Sequence, residues 1–159
     1  MQQRQVEESI ARHGDTVRRV CFLYLSCYAD VEDVFQETFL RLLTRKKPFA
    51  DQEHQKAWLI RVARNLCTDL LRRKKRHPAL SLEEYDHPIP QKEESGPVLE
   101  AVLGLPPNYR LAIYLHCVEG YAADEIAAMV HRRPNTVYSW LHRGRALLRQ
   151  TLEGGTTDA

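Results

Sequence analysis

The sequence predicts an all-α protein built from two small helical domains that a flexible linker joins. Apolar residues recur at helical spacing along nearly the whole chain, and no stretch alternates strictly enough to predict a half-buried strand. Residues 78–97 break this pattern with four prolines, a glycine and five acidic residues, a composition that cannot bury enough apolar surface to pack. We therefore predict a first domain over residues 1–77, a linker over 78–97 and a second domain over 98–159.

The first domain is predicted to contain one or two helices over residues 6–29, a helix over 31–44 and a long helix over 53–76. Asp30 is expected to cap the second of these through its carboxylate. The step Lys46-Lys47-Pro48 separates the last two helices, because proline cannot continue a helix and disfavours the α conformation in the residue before it.

The second domain is predicted to begin with a short helix over residues 98–103. A second helix should open at Leu105-Pro106-Pro107 and end at Gly120, and two more should span residues 123–130 and 136–152. Asn135 is expected to cap the last helix, and the final five residues are expected to fray.

Charge is distributed unevenly, although the net charge of the 159 residues is only +2. Residues 41–76 contain 12 Lys or Arg against 3 acids, residues 78–97 contain one Lys against five acids, and residues 126–152 contain 5 Arg and no acid. Two basic blocks therefore flank an acidic spacer, which favours a nucleic-acid partner.

Several classes of function lack support in the sequence. The N-terminus has no secretory signal, and the longest apolar run, near residues 20–29, is too short to span a bilayer, so a cytoplasmic protein without membrane insertion is expected. Cys21, Cys27, Cys67 and Cys117 lack paired metal-ligand spacing and are predicted to be reduced core thiols. No phosphate loop or nucleophile elbow is present, so we predict no catalytic residue, metal, cofactor or small-molecule substrate.

The helix after Asp30 has one apolar and one acidic face. The side chains predicted to enter the core are Val31, Val34, Phe35, Thr38 and Leu42, and those on the opposite face are Glu32, Asp33, Gln36, Glu37 and Leu40. An acidic helix face is most often simply solvated. Leu40 beside Asp33 and Glu37 indicates the alternative, a docking face.

The long helix places a basic face opposite its apolar one. The predicted core side consists of Leu59, Val62, Ala63, Leu66 and Leu70, and the opposite side carries Arg61, Arg64, Asn65, Thr68, Asp69, Arg72, Lys75 and Arg76. A solvated helix face usually carries both acidic and basic side chains. This face has a single acidic residue, which favours contact with phosphates. Asn65 and Asp69 could bond base edges. Trp58 is interpreted as a core residue, with a stacking platform as the alternative.

The last two predicted helices form a helix-turn-helix pattern in which residues 131–135 make the turn. The side chains predicted to face inward are Val137, Leu141, Gly144 and Leu148, and those predicted to face outward are Tyr138, Ser139, His142, Arg143 and Arg145. An exposed basic helix of this kind suits the major groove of DNA. An ordinary helical hairpin is the alternative.

These motifs resemble those of the extracytoplasmic-function group of bacterial sigma factors, from about residue 8 to residue 152. ADVEDVFQETFLRLL resembles the helix with which such factors bind the clamp helices of RNA polymerase, and AWLIRVARNLCTDLLRRKKR resembles their promoter-melting, minus-ten-reading helix. LGLPPNYRLAIYLHCVEGYAADEIAAMVHRRPNTVYSWLHRGRALLR resembles the region that binds the polymerase flap and reads the minus-thirty-five element.

The resemblance implies three sets of contact residues, with Asn65 capturing a base flipped from the non-template strand. The polymerase face would consist of Asp33, Gln36, Glu37 and Leu40. The minus-ten surface would consist of Arg61, Arg64, Asn65, Asp69, Arg72 and Arg73. The minus-thirty-five surface would consist of Asn135, Thr136, Tyr138, Ser139, Trp140, His142 and Arg143. Ala122 stands where such factors commonly have a capping Ser, and Tyr138 and Trp140 stand where Arg is frequent, which leaves the identity of the upstream element open.

The resemblance implies a non-enzymatic specificity subunit that binds core RNA polymerase and promoter DNA and is held in check by an anti-sigma factor. One alternative is a dimeric helix-turn-helix regulator that needs no polymerase, although no dimerisation helix is evident in the sequence. Another is a nucleic-acid-cleaving or RNA-modifying enzyme with Asp30, Asp33 and Glu37 as metal ligands, although no second carboxylate cluster completes such a site.

Overall fold

The computed structural model describes residues 2–77 and 97–157, and every regular element in these two ranges is a helix. The chain divides into two compact units, Met1–Ile89 and Pro90–Ala159. The predicted fold class, all-α with two helical units, is confirmed. The predicted linker over residues 78–97 lies almost wholly outside the described residues, and the predicted domain boundaries stay a prediction.

The first unit packs three helices, α1 (Gln3–Tyr24), α2 (Tyr28–Thr44) and α3 (Gln52–Arg76), each against the other two. Its core contains fully buried aliphatic side chains from all three helices, among them Val20, Leu42 and Ile60. Gly14 of α1 lies against the ring of Phe35 of α2, 3.5 Å from the position that a Cβ atom would take. A Cβ atom at Gly14 would make ordinary van der Waals contact with that ring.

The second unit packs α4 (Pro97–Leu103), α5 (Pro107–Cys117) and α6 (Ala123–Val130) against the long α7 (Pro134–Thr157). Leu111, Leu115, Ile126 and Val137 are fully buried and form the centre of its core. Gly144 of α7 lies under Ile113 of α5, and a Cβ atom at Gly144 would come within 3.1 Å of that side chain. None of the helices in residues 2–77 and 97–157 is long and apolar enough to cross a membrane.

Asp30 does not cap α2 as predicted. The helix begins at Tyr28, three residues before the predicted start at residue 31, and its N-cap is Cys27. Asp30 therefore lies in the first turn. The Asp30 carboxylate is nearly buried, accepting a short hydrogen bond from the ammonium of Lys74 near the end of α3. A tertiary ion pair, which no local pattern reveals, therefore replaces the predicted cap.

Two further helix ends differ from the prediction. α5 ends at Cys117 and not at Gly120, because the carbonyl of Tyr114 accepts bonds from the N–H groups of Val118 and Glu119, and Gly120 turns the chain at φ +80°. α7 begins at Pro134, where the carbonyl of Arg133 accepts the first helical bonds. Asn135 therefore lies inside the first turn, because proline is favoured at the first helical position.

The remaining differences concern a cysteine and the chain end. Cys21, Cys27 and Cys67 are buried free thiols as predicted, whereas Cys117 is exposed, because it is the last residue of α5. α7 continues to Thr157, past the predicted end at residue 152.

Candidate polymerase and nucleic-acid interfaces

The two faces of α2 lie as predicted. Val31, Val34, Phe35, Thr38 and Leu42 are buried. Asp33, Gln36 and Glu37 are exposed, and Leu40 keeps 54% of its surface exposed although it is a large aliphatic residue. Residues 33, 36, 37 and 40 follow helical spacing, so that this apolar side chain is surrounded by polar and acidic groups on one surface.

Glu32, predicted on the same face, has a structural role. Its Oε1 atom accepts a hydrogen bond from Nε of Arg18 at 3.1 Å, and the Arg18 guanidinium lies 3.9 Å from the centroid of the Phe35 ring. The bond to Glu32 raises the pKa of Arg18. This interaction joins α1 to α2, and Asp33, Gln36, Glu37 and Leu40 remain as the exposed residues of the predicted docking face.

The buried side of α3 is rotated from the predicted one. Leu59, Val62 and Ala63 are buried as predicted, but Leu66 and Leu70 are half-buried. Ile60 and Cys67, which the prediction did not use, have no exposed surface. Two helices, α1 and α2, pack against α3, so the buried surface is wider than the single apolar row visible in the sequence.

Arg64 was predicted on the exposed basic face and is instead buried, with 6% of its surface accessible. It follows Ile60 by one turn and precedes Cys67 by three residues, which places it at the border of the buried surface. Its Nη1 atom donates to Oδ1 of Asn65 at 3.3 Å. Arg64 therefore does not form part of a phosphate-facing row.

The exposed side of α3 keeps the other predicted residues together. Asp69, Arg72 and Arg73 are exposed, and Arg61 and Asn65 are half-buried. Nη1 of Arg72 donates to Oδ1 of Asp69 at 3.4 Å, so the single acid is paired with one of its basic neighbours. The surface as a whole remains basic, and it ends in the exposed Lys75 and Arg76.

An aromatic cluster at the start of this surface was not predicted as a unit. Trp58 is half-buried, its ring lies 5.6 Å from that of Phe49, and the Arg45 guanidinium lies 4.2 Å from the Phe49 centroid and 5.0 Å from that of Trp58. Asn65 follows Trp58 by seven positions, nearly two helical turns, which puts both side chains on one side of α3. The spacing of Trp58 and Asn65 is visible in the sequence. Arg45 and Phe49 come from the α2–α3 loop, and the sequence does not show the path of that loop.

Two contacts fix the start of α3. The Asp51 carboxylate accepts from the N–H of His54 at 2.8 Å and caps the helix. The buried Ser9 hydroxyl of α1 donates to Oε1 of Gln55 at 2.9 Å. The Ser9–Gln55 bond ties the start of the basic helix to α1, and the Lys74–Asp30 pair ties its other end to α2.

The helix-turn-helix is formed by α6, a three-residue turn and α7. Ala122 provides no side-chain cap, but its N–H donates to Oε1 of Glu125 at 2.9 Å, which recovers part of the missing cap. His131 ends α6 in the left-handed region, at φ 55° and ψ 46°, and the following N–H of Arg132 donates to the carbonyl of Ala127. The predicted motif is confirmed.

Along α7 the predicted inward and outward sides are observed. Val137, Leu141 and Gly144 are buried and Leu148 is half-buried. The residues predicted to face DNA are exposed (Asn135, Tyr138, His142 and Arg143) or partly exposed (Thr136, Ser139 and Trp140). Tyr138 keeps 54% of its surface accessible and stands out as an exposed aromatic group.

An open groove of about 700 Å³ runs beside this surface, and the sequence did not point to it. Tyr138, His142, Arg145 and Arg149 line it at helical spacing from α7, and His116 of α5 lines the opposite side. The Nδ1 atom of His116 lies 2.8 Å from the carbonyl oxygen of Tyr121, which fixes the ring. None of the described residues that line the groove is acidic, so the groove suits a polyanion.

The buried thiols and acids do not form a reactive or metal site. A hydrogen bond with Cys21 and burial together raise the pKa of the Cys67 thiol, which keeps it protonated and unreactive. Asp30 bonds Lys74, whereas Asp33 is exposed on the surface of α2. Among residues 2–77 and 97–157, no three His, Cys, Asp or Glu side chains are grouped so that they could hold a metal ion.

Comparison with known proteins gives the same family for both units. The profile of Sigma-70 region 2 matches residues 10–77, and that of Sigma-70, region 4, matches residues 95–148. The ECF RNA polymerase sigma factor SigE of Mycolicibacterium smegmatis is 34% identical over 157 residues, covering 92% of this chain and 61% of that protein. The ECF RNA polymerase sigma factor SigW of Bacillus subtilis is 28% identical over 158 residues, covering 88% of this chain and 84% of that protein.

Among solved structures, the chain is similar to the sigma factor RpoE of Bartonella quintana, determined in complex with the anti-sigma factor NepR. The TM-score is 0.75 at 21% identity, and the match covers 92% of this chain and 96% of that one. At this identity the likeness shows a shared fold.

Proposed function

Because the chain belongs to the extracytoplasmic-function group of the sigma-70 family, we propose that it binds core RNA polymerase and directs it to promoters, where it opens the DNA to start transcription. One observation carries the proposal. The first helical unit matches region 2 of the family and presents an exposed acidic face and a basic helix. The second unit matches region 4 and contains a helix-turn-helix.

The first unit docks on the polymerase through Asp33, Gln36, Glu37 and Leu40. Leu40 supplies the apolar contact area, and the acids around it supply charge complementarity to a basic partner surface. The resemblance of this helix to the family assigns the clamp helices of the polymerase as that partner.

The exposed side of α3 binds the minus-ten element. Arg61, Arg72 and Arg73 attract its phosphates, and Asn65, aided by Asp69, contacts a base taken out of the stack. The Phe49–Trp58 pair, with Arg45 against both rings, supplies a surface on which an unstacked base can pack. An aromatic surface two turns from an amide suits an open strand better than a closed duplex.

The second unit binds the upstream element with α7. The exposed side chains of Asn135, Tyr138, His142 and Arg143, with the partly exposed Thr136, Ser139 and Trp140, reach base edges in the major groove. Arg145 and Arg149, in the groove beside them, hold the sugar-phosphate backbone. The same unit meets the polymerase flap, as its resemblance to region 4 implies.

The proposal includes regulation and location. An anti-sigma factor binds the chain and keeps it from the polymerase, which agrees with the complex in which the similar Bartonella sigma factor was solved. The chain works in the cytoplasm, where its polymerase is, and performs no catalysis of its own. A dimeric regulator with the same helix-turn-helix would bind its operator without polymerase, and this difference separates the two hypotheses.

Assembly with purified core polymerase tests the proposal. We expect a stoichiometric complex that initiates from specific promoters, whereas Asp33→Lys with Glu37→Lys abolishes assembly and leaves the helical content unchanged, because exposed charge reversals alter stability by only about 0.5 kcal/mol. Glu8→Lys with Asp15→Lys, on exposed positions of α1, changes the charge equally and serves as the control. Normal assembly by the α2 variant would show that the docking face is misassigned.

A further inference from the structure

Arg64 is the most unexpected residue of the first unit, because a long cationic side chain is almost never fully buried unless it is paired. Only 6% of its surface is accessible, in a row of α3 in which Ile60 and Cys67 are completely buried. Burying a guanidinium removes strong interactions with water, which other polar contacts must offset. An apolar residue would fill this position at a lower cost in desolvation free energy. The charge and the five N–H donors of Arg64 therefore call for an explanation.

The contact with Asn65 provides one. Nη1 of Arg64 donates to Oδ1 of Asn65 at 3.3 Å, so the oxygen end of that amide is engaged by the chain itself. Asn65 is only half-buried, and its backbone carbonyl accepts a bond from the hydroxyl of Thr68 at 3.0 Å. An amide has one acceptor end and one donor end, and fixing the first determines which end a ligand can meet.

We propose that Arg64 is a positioning residue that holds the oxygen of the Asn65 amide and thereby turns the two N–H donors of Asn65 toward the captured base. The recognised group is then an acceptor on the base edge, a carbonyl oxygen or an unprotonated ring nitrogen. Without Arg64 the amide can rotate by half a turn and offer its oxygen, which suits an exocyclic amino group instead. This inference rests on the proposed role of Asn65 in strand capture.

Asn65→Asp separates the two ends of the amide. A carboxylate keeps the bond to Arg64, and strengthens it through its charge, but has no N–H to offer. We therefore expect Asn65→Asp holoenzyme to open a fully paired promoter as poorly as Asn65→Ala holoenzyme does. Strand opening by Asn65→Asp at the parent level would show that the amide oxygen reads the base and would overturn the inference.

Arg64→Lys tests the positioning role itself. Lysine keeps the charge but loses the planar fork that fixes an acceptor. Holoenzyme is tested on four promoters that differ only at the captured base, and open-complex formation is followed by permanganate reactivity of unpaired thymines. We expect the preference for the favoured base to fall by about threefold to tenfold, the worth of one hydrogen bond. Ile60→Val, one turn earlier and equally buried, loosens the same packing and leaves the preference unchanged.

The outcomes distinguish this inference from the function on which it rests. If Asn65→Ala opens every promoter as well as the parent does, the proposed role of Asn65 fails. If Asn65→Ala is impaired but Arg64→Lys lowers opening equally on all four promoters, Arg64 is merely structural and the inference fails. A reduced base preference in Arg64→Lys but not in Ile60→Val supports it, and strand opening by Asn65→Asp at the parent level overturns it even if Arg64→Lys does not fold.

Discussion

At the scale of single residues, the Asp30–Lys74 ion pair ties the start of α2 to the end of α3. The two side chains are only 12% and 14% exposed, so neither charge is well solvated if its partner is lost. We expect Lys74→Ala to lower the free energy of unfolding by about 3 kcal/mol, since breaking a buried pair leaves an uncompensated charge. Urea denaturation of the purified chain measures this change.

The double variant Asp30→Leu with Lys74→Met provides the control. It removes both charges and fills the space with apolar groups, an exchange that is often neutral or stabilising. We expect stability close to that of the parent chain. Similar losses in the single and double variants would mean that packing by the lysine stem, and not the ion pair, holds α3 in place.

His13 gives the first unit a dependence on pH. It is buried in α1, where burial lowers its pKa below the usual 6.5, against an opposing hydrogen bond with Gln52, and Arg12 and Lys56 lower the pKa further. Well above pH 6.5 the residue is almost entirely neutral in both the folded and the unfolded chain and contributes little to the pH dependence. Below pH 6.5 this histidine binds a proton in the unfolded chain more readily than in the folded chain, because its pKa is lower in the folded chain. The free energy of unfolding therefore decreases as the pH falls.

Comparison with His13→Gln isolates this effect from the other histidines. We expect the parent chain to lose more stability than His13→Gln in urea denaturation between about pH 7.5 and about pH 5.5, values that bracket the ordinary histidine pKa of 6.5. The nearby Glu53 acts in the opposite direction on the His13 pKa, so Glu53→Gln should enlarge the loss. Equal pH dependence in the parent and in His13→Gln would exclude His13 as the cause.

The residues that were wrongly predicted share a physical reason. If only neighbouring residues are considered, Asp30 is predicted to cap a helix and Arg64 is predicted to belong to a basic face. Their actual environments depend on Lys74, 44 positions away along the chain, and on α1 and α2 packing against α3. Local pattern decides which side chains are able to cap or to face solvent, and tertiary packing decides which of them do.

At the scale of secondary-structure elements, α7 presents two exposed surfaces that share Tyr138 and His142. Arg143 belongs to the predicted base-reading set but does not line the groove, whereas Arg149 lines the groove and lies outside that set. We expect Arg143→Ala to cost about 1 to 3 kcal/mol at one promoter position and to relax selection there, as loss of a base contact does. Holoenzyme binding to a panel of upstream variants measures this.

Arg149→Ala is the matched comparison on the same helix. A phosphate contact carries no sequence information, so this variant should weaken binding uniformly and reduce the salt dependence by roughly one released counterion. Uniform weakening by Arg143→Ala as well would place Arg143 on the backbone. Selective weakening by Arg149→Ala would place a base, and not a phosphate, in the groove.

The elements were predictable because their local signals agree with the packing. The helix-turn-helix has a first helix of small residues, a turn and a second helix with an apolar side, and α2 has a regular apolar stripe whose members are all buried. α3 was predicted in its bounds but not in its rotation. Its apolar surface is wide enough to admit two neighbours, and periodicity alone does not show where the second one lies.

At the scale of the whole molecule, the two units should separate under limited proteolysis. The composition of residues 78–97 predicts that this segment is cut before the helices of either unit, because chain without packed apolar residues is the preferred site of nicking. Mass spectrometry of the first fragments should place the ends there, and both fragments should remain helical by circular dichroism. Early cleavage within α3 would contradict the division into domains.

The division into two units could be predicted because each half has its own periodic apolar residues and the region between them has few. The aromatic cluster of Arg45, Phe49 and Trp58 could not, because it is assembled by a loop that folds back on α3. The groove beside α7 likewise needs His116 of α5 and Arg149 of α7, which are 33 residues apart in sequence. Sites made by several elements become visible only in three dimensions.

In the proposed function, α3 captures an unpaired promoter strand through Asn65, and this role is tested by strand opening with Asn65→Ala holoenzyme. We expect normal polymerase binding and closed-complex formation, with a sharp loss of permanganate-reactive thymines on fully paired promoter DNA. A promoter already mismatched across the minus-ten element should restore part of the activity, because the few kcal/mol needed to unpair and unstack the base are no longer required. Equal opening of the fully paired promoter by Asn65→Ala and parent holoenzyme would contradict the claim.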